Sequence, residues 1–362
     1  METGRDGTET EPDGKTTGSG QSRGAMRGMP GAPVGARISI YVTDREGNLV
    51  LECRQQLREE EPLQSILLQP RLWRGAEEPY LYDMEAILED GSGCRRDRVR
   101  GHLPLRSLDS RQPGSLTLNG AALEPRAVRY YLPDMGGVAD SCHRMEKDLR
   151  LLLELGANCV CLDGWEEGQE GDLERGRFFL ALCDCLGLLA FRRQKGGSEY
   201  VWIQGAGRGA GMIGREAVAV TCGGEVPVLR SRKKDVAVCG ERGAETLQAD
   251  TLLPDGEHPG PYFYRCLAEW GRKPFVYIVP ESVRKMESGN YTALCYSNCD
   301  RVALYSDGNL FEFQRGEREF YFQEIPAKSP CIMLAAEGEG CGESLSVHKS
   351  FVKQWENEGI WH

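Results

Sequence analysis

The sequence is poor in aromatic residues, in histidine and in long apolar runs. Aromatic residues make up 8% of the 362 residues and histidine occurs only five times, so few candidates exist for a site built from histidines. No run approaches the roughly 18 consecutive apolar residues that a membrane-spanning helix needs, and we expect no membrane segment. The 44 Lys and Arg are outnumbered by 55 Asp and Glu, giving a formal net charge of -11. Such a charge repels phosphate backbones, which argues against nucleic-acid binding.

Residues 1–36 contain almost no large apolar side chains. Such a segment cannot bury enough surface to offset the entropy lost on ordering, and we predict a disordered tail there. It also lacks the apolar stretch of about 7–15 residues typical of a secretory signal, which predicts a cytoplasmic location. In that compartment the 14 cysteines are expected to be reduced thiols.

Two C-x-C pairs, Cys159/Cys161 and Cys183/Cys185, raise the question of a metal site. Zinc sites typically separate paired cysteines by two to four residues, whereas each pair here has one intervening residue and no histidine follows at ligand spacing. Free cysteines in apolar runs behave as small hydrophobic residues. The pattern favours core thiols over zinc, and no metal is expected.

Periodicity divides the rest of the chain into three folded parts. Residues 37–110 alternate apolar and polar positions in short segments separated by turns, which predicts an immunoglobulin-like β-sandwich. Residues 111–270 alternate short apolar strands with helices, which is typical of βα repeats and a parallel sheet or barrel. Residues 271–352 return to short strands and predict a second sandwich, followed by a tail at 353–362.

The middle part predicts two helices, each ended by a glycine and followed by a buried strand. The helices cover Asp140–Leu155 and 173–186, and the strands cover Asn158–Leu162 and Leu188–Phe191.

Five sequence motifs follow one another along the chain. They are PRLW and PYLY at 70–82, LTLNGAALEPRAV at 116–128, DLRLLLELGANCV at 148–160, FLALCDCLGLL at 179–189, and YSNCDRVALYSDG at 296–308. This order resembles glycoside hydrolase family 2, the group of β-galactosidases and β-glucuronidases, over about two-thirds of the chain. The resemblance implies a sandwich, a (β/α)8 barrel and a C-terminal sandwich. It also implies hydrolysis of β-glycosides with retention of configuration and without a cofactor.

The resemblance further implies two catalytic glutamates. The segment 212–217, MIGREA, is similar to the family's motif around the acid/base, which makes Glu216 the candidate proton donor. The segment 239–246, CGERGAET, is similar to the motif around the nucleophile, which makes Glu241 the candidate nucleophile. A retaining enzyme needs these two carboxyl groups roughly 5–5.5 Å apart.

Several departures from the family's pattern keep a second interpretation open. The barrel region spans about 155 residues, fewer than the roughly 200 that eight βα units need, so we expect a shortened barrel. Glu216 and Glu241 are only 25 residues apart, and an arginine stands beside each, which lowers the pKa of a proton donor. The alternative is that Glu216 and Glu241 are both charged surface residues without a catalytic role. The protein is then a carbohydrate-binding or scaffold protein, or a truncated gene product without a selected role.

Four further residues are candidates for substrate binding. Tyr130, Tyr131 and Trp165 fall in predicted strand-end loops, where barrel enzymes place their sites, and Asp163 lies in a loop that lines the sugar site in the resembled family. Exposed aromatic rings there can hold a sugar; the alternative is that they are core residues. An incomplete barrel would also expose apolar edges, from which we expect a homodimer.

Overall fold

The computed structural model describes two compact units. The described residues are 21–26, 35–57, 63–109, 116–133, 137–163, 172–193, 200–202, 219–220, 227, 229–230, 251–326, 331–339 and 346–354. The first unit contains the described residues up to Arg71 together with Tyr82–Gly101, and the second contains Leu72–Leu81, His102–Trp202 and the described residues from 219 onward. Strands account for far more of the described chain than helices do, which is compatible with β-sandwich domains.

The first unit is built on a four-stranded antiparallel sheet with the order β3-β2-β5-β6. Its strands are β2 (Arg37–Thr43), β3 (Leu49–Gln56), β5 (Tyr82–Glu89) and β6 (Arg95–Leu103). Alternate residues of β2, such as Ile40 and Val42, are buried, as a strand with one face on a core requires.

A second strand pair joins β1 (Gln21–Met26) to β4 (Leu63–Leu68) in antiparallel register. The sequence predicted no strand at Gln21–Met26, because its composition offers little apolar surface. Strand pairing uses backbone N–H and C=O groups, which every non-proline residue carries, so composition alone misses it.

The centre of the second unit is a five-stranded sheet with the order β10-β11-β12-β13-β14. The strands β10 (Ala127–Tyr130), β11 (Cys159–Leu162) and β12 (Leu189–Arg193) are parallel, as the sequence predicted. The strand β13 (Tyr200–Trp202) pairs antiparallel with β12, and β14 (Ala219–Val220) pairs antiparallel with β13 and so runs in the direction of the three parallel strands. Beside this sheet lies a small antiparallel one formed by β7 (Leu108–Asp109), β8 (Thr117–Leu118) and β9 (Ala121–Ala122).

The described residues of the second unit contain three helices: α1 (Val138–Leu155), α2 (Asp172–Leu186) and α3 (Pro261–Trp270). The first two agree with the predicted helices to within two residues. Gly156 ends α1 with φ +93°, and Gly187 follows α2 with φ +90°, so both adopt the left-handed conformation that only glycine takes readily. A side chain on Gly187 would also collide with the backbone of Ala76.

The C-terminal part of the second unit is a sandwich of two antiparallel sheets over one core. One sheet joins β15 (Val276–Ile278), β16 (Arg284–Lys285), β17 (Tyr291–Ser297) and β20 (Arg318–Ile325). The other has the order β19-β18-β21-β22 and contains β18 (Arg301–Ser306), β19 (Asn309–Arg315), β21 (Cys331–Glu339) and β22 (Ser346–Gln354). Alternate residues of both sheets fill the core, including Cys295 and Phe322 from the first and Leu304 and Leu334 from the second.

Candidate active site

The parallel strands β10 and β11 bring two of the predicted residues together. Tyr131 follows β10 and Asp163 follows β11, and the carboxyl ends of parallel strands meet at one edge of a sheet. The Asp163 N–H donates to the Tyr130 carbonyl oxygen at 3.0 Å, which continues the pairing by one residue beyond Tyr130 and Leu162. Tyr131 and Asp163 are therefore neighbours in register.

Successive residues of these strands face two different cores. Val128, Tyr130, Val160 and Leu162 belong to the core that contains residues of α1, α2 and α3. The residues between them face the other side of the sheet, where the second core contains Ala127, Cys159, Cys161, Leu189, Phe191 and Trp73. This alternation decides which of the two adjacent tyrosines can face a site.

Tyr130 is a core residue on the helix side of the sheet. It is 2% exposed, and its ring stacks on Phe179 with centroids 5.5 Å apart. Its hydroxyl donates to Asp148 Oδ2 at 3.1 Å. Burial, aided by the nearby charge of Asp148, raises the pKa of Tyr130 well above its ordinary value, so the hydroxyl keeps the proton that it donates.

Asp148 is the centre of a buried polar cluster on this side. It is 1% exposed, and the Arg230 guanidinium binds both of its oxygens, with Nη2 at 2.6 Å from Oδ1. Arg144 Nε lies 3.3 Å from the same Oδ1. Arg230 and Arg144 also donate to the Gly256 carbonyl oxygen. The cluster therefore links α1 to two later segments of the chain, a structural role that explains the Asp of the DLRLLLELGANCV motif.

Arg129, Tyr131 and Asp163 fall on the face of the sheet opposite the helices. Asp163 is 5% exposed, whereas Arg129 and Tyr131 are half-buried. The Asp163 carboxylate can accept hydrogen bonds from hydroxyl groups, and the Arg129 guanidinium and the Tyr131 hydroxyl can donate them. The aromatic ring of Tyr131 can cover the apolar face of a sugar ring. Arg129 was not among the predicted site residues. It could have been predicted from Tyr131, because residues two positions apart on a strand lie on the same face.

The edge of β10 that faces away from β11 also forms backbone hydrogen bonds. The Arg129 N–H donates to the Pro227 carbonyl at 2.8 Å, and the Leu229 N–H donates to the Arg129 carbonyl at 3.1 Å. In a parallel pair, the N–H and C=O groups of one residue bond to two residues of the partner strand that are two positions apart. Pro227 and Leu229 thus bond to β10 in a parallel pattern, on the side away from β11.

The other predicted site residues lie outside the described residues: Glu216, Glu241 and Trp165. Among the described residues, no group of three or more His, Cys, Asp or Glu side chains is arranged to hold a metal ion. Cys159, Cys161 and Cys183 are buried free thiols, and Cys185 is exposed. No helix in the described part of the chain is long and apolar enough to cross a membrane.

Comparisons of the fold with solved structures find β-glycosidases. An FMN-binding β-glucuronidase from Faecalibacterium prausnitzii L2-6 is 14% identical with a TM-score of 0.60, covering 95% of this chain and 73% of that one. A Parabacteroides merdae β-glucuronidase is 13% identical with a TM-score of 0.62, covering 90% and 60%. A β-glycosidase from Bacteroides vulgatus is 12% identical with a TM-score of 0.57, covering 87% and 60%.

At these identities the likeness is one of fold. The chain spans about three-fifths of the length of the Parabacteroides and Bacteroides proteins. No protein-family model matches the chain, and no curated protein sequence is similar to it.

Proposed function

We propose that this protein is a glycoside hydrolase related to family 2 that cleaves β-glycosides with retention of configuration. The observation that carries the proposal is the parallel sheet whose carboxyl end places Asp163 and Tyr131 side by side, in a fold similar to β-glucuronidases. In barrel enzymes this end of the sheet holds the active site. Residues 111–270 are then a shortened barrel between two sandwiches.

The chemistry requires two carboxyl groups, for which Glu241 and Glu216 remain the candidates. Glu241 attacks the anomeric carbon while Glu216 protonates the departing oxygen, which breaks the glycosidic bond. Glu216 then removes a proton from water, and the hydroxide displaces Glu241 and releases the sugar. Asp163 accepts hydrogen bonds from sugar hydroxyls, and Tyr131 covers the ring. A carbohydrate is the expected ligand.

A second candidate function is carbohydrate binding without turnover. One observation favours it: β13 runs antiparallel to the three parallel strands. A (β/α)8 barrel has eight parallel strands, so this region departs from the catalytic architecture. The strand-end residues can hold a sugar without the glutamates.

One experiment separates these functions. Purified protein is incubated with nitrophenyl β-glucuronide and nitrophenyl β-galactoside, and the Glu241→Gln and Glu216→Gln variants are assayed beside it. Glu46→Gln, at the exposed turn between β2 and β3, is the matched control. Turnover that is lost in both site variants and kept in the control supports hydrolysis, and turnover that survives both substitutions rejects these glutamates.

Binding is measured in the same samples by intrinsic tryptophan fluorescence. A sugar-dependent change without turnover, weakened by Asp163→Asn, supports the binding function. If neither turnover nor a sugar-dependent change occurs with either glycoside, both functions are rejected for these sugars.

A further inference from the structure

Two side chains beside the central sheet carry buried N–H groups that donate to no acceptor among the described residues. Arg106 is 4% exposed, and its Nη2 donates to Asp184 Oδ1 at 2.6 Å. The other amino group, Nη1, is buried and has no hydrogen-bond partner in the described part of the chain. The same holds for Nε1 of Trp202 on β13. Buried polar groups in folded proteins are rarely left unpaired, so each of these two nitrogens needs an explanation.

The two unpaired groups belong to one cluster of side chains. The Arg106 guanidinium carbon lies 4.2 Å from the centroid of the Trp73 ring and 5.7 Å from that of the Trp202 ring. The indole N–H of Trp73 is already used, because it donates to the Asp184 carbonyl oxygen at 2.8 Å. Arg106 therefore lies against two indole rings, with one amino group held by Asp184 and the other unpaired.

The chemistry of the two nitrogens defines the kind of partner that they can take. The amino group of an arginine and the N–H of an indole are donors only, so the partner must be an acceptor. A water molecule that accepts from both keeps two O–H groups that need acceptors of their own. Among the described residues, no buried side-chain oxygen lacks a hydrogen-bond partner, so a water is poorly satisfied here. An anion has no such requirement, and the burial of both nitrogens restricts it to a few atoms.

We propose that Arg106 Nη1 and Trp202 Nε1 bind one small monovalent anion of the size of chloride. The guanidinium supplies positive charge and the indole N–H supplies a neutral donor. Asp184 shares the same guanidinium, and its carboxylate repels an anion bound to Nη1. Binding is therefore weak in the wild type and tightens where that carboxylate is neutralised.

The anion site is distinct from the candidate sugar site. Asp184 lies in the last turn of α2, which leads into the amino end of β12, whereas Asp163 and Tyr131 lie at the carboxyl ends of β10 and β11. The proposal does not depend on the proposed hydrolase function. The anion links the segment around Arg106 to β13 and makes the stability of the fold depend on the anion concentration.

Urea unfolding of the full chain tests the proposal at constant ionic strength, with chloride replacing gluconate, which is too large for the site. A ligand that binds only the folded state raises the folding equilibrium constant by the factor 1 + [chloride]/Kd, and this dependence gives Kd. Trp202→Phe keeps an aromatic ring and removes the N–H. It should raise Kd at least about tenfold, the size of one hydrogen bond to a charged group. Trp270→Phe is the matched control, because Trp270 packs against the core on the helix side of the sheet, and it should leave Kd unchanged.

Asp184→Asn tests the sign of the electrostatic effect. The variant removes the repelling charge, so chloride should bind several-fold more tightly than in the wild type. Circular dichroism checks that each variant is folded, and Asp184→Asn decides the matter if Trp202→Phe does not fold. The proposal is overturned if wild-type stability does not depend on chloride at constant ionic strength. It is also overturned if chloride stabilises Trp202→Phe as strongly as the wild type, or if Asp184→Asn leaves Kd unchanged.

Discussion

Arg106 Nη2 donates to Asp184 Oδ1 at 2.6 Å, and both side chains are buried although 78 residues separate them. The Arg106 guanidinium lies 4.2 Å from the centroid of the Trp73 ring, and Trp73 Nε1 donates to the Asp184 carbonyl at 2.8 Å. Burial raises the pKa of the Asp184 carboxyl, and Arg106 opposes that shift. Asp184 therefore connects both the segment around Arg106 and the segment around Trp73 to the last turn of α2.

We expect Asp184→Asn to lower the free energy of unfolding by about 3 kcal/mol or more. The variant leaves a buried guanidinium without a counter-charge, which costs more than the pair itself contributes. Urea denaturation measures the change. Glu52→Gln removes a partner of the exposed Arg54–Glu52 pair and should cost less than about 1 kcal/mol. Equal effects of the two changes would contradict the role given to burial.

Gly187→Ala should destabilise the protein more than Gly120→Ala. Both glycines have positive φ, +90° and +81°, so alanine costs about 1–2 kcal/mol at each. At Gly187 the new methyl group also meets the backbone of Gly75 and Ala76, whereas at Gly120 it meets nothing. Thermal unfolding of the two variants measures the difference in stability. A smaller loss of stability in Gly187→Ala than in Gly120→Ala would contradict the close packing of residues 75–76 on this turn.

The adjacent tyrosines of β10 and the loop after it should respond differently to substitution. Tyr130→Phe removes the hydroxyl that donates to Asp148 and should cost about 1 kcal/mol of stability, with no effect on sugar affinity. Tyr131→Ala should weaken sugar affinity, because Tyr131 shares the strand end with Asp163. Denaturation and fluorescence titration measure both properties. Weaker sugar binding in Tyr130→Phe would place the site on the helix side of the sheet instead.

Protonation of Asp90 should contribute to the loss of stability in acid. Hydrogen bonds from the Ser92 hydroxyl above all, and also from the Cys94 backbone and Arg96, hold the pKa of Asp90 well below its usual 3.8. A carboxyl whose pKa is lower in the folded state stabilises that state at neutral pH, and this contribution is lost as the pH falls through and below 3.8.

The corresponding measurement is the free energy of unfolding between pH 7 and pH 3. The difference between wild type and Asp90→Asn should shrink as the pH falls, and Ser92→Ala should reduce that pH dependence. A difference that stays constant over this range would show that Asp90 ionisation does not contribute.

Local periodicity predicted most of the strands and helices. The spacing of Met145, Leu149 and Leu152 predicts one apolar stripe, and all three are fully buried in α1. The glycines at 156 and 187 predicted where the helices end. The directions of β13 and β14 were not predictable in this way, because the period of a strand is the same whether it runs parallel or antiparallel to its neighbour.

The candidate site was only partly predictable. Tyr130 and Tyr131 were identified because they fall at a strand end, and Asp163 through the resemblance; the structure brings Tyr131 and Asp163 together at the ends of β10 and β11. Alternation shows that Tyr130 and Tyr131 face opposite ways but cannot say which faces the helices. The packing of Phe179 on Tyr130 decides that, and no signal in the sequence joins Asp148 to Arg230, which is 82 residues away.

The sequence by itself determined the parts of this protein that depend on neighbours along the chain: the helices, most of the strands, the turns that need glycine, and the order of motifs that resembles a glycosidase family. Only the tertiary structure decided which face of the central sheet packs against the helices, how the buried charges pair, and which side chains of the C-terminal sandwich stay exposed. The physical reason is that propensity and periodicity act over a few residues, whereas burial and charge pairing depend on residues that meet only when distant segments pack.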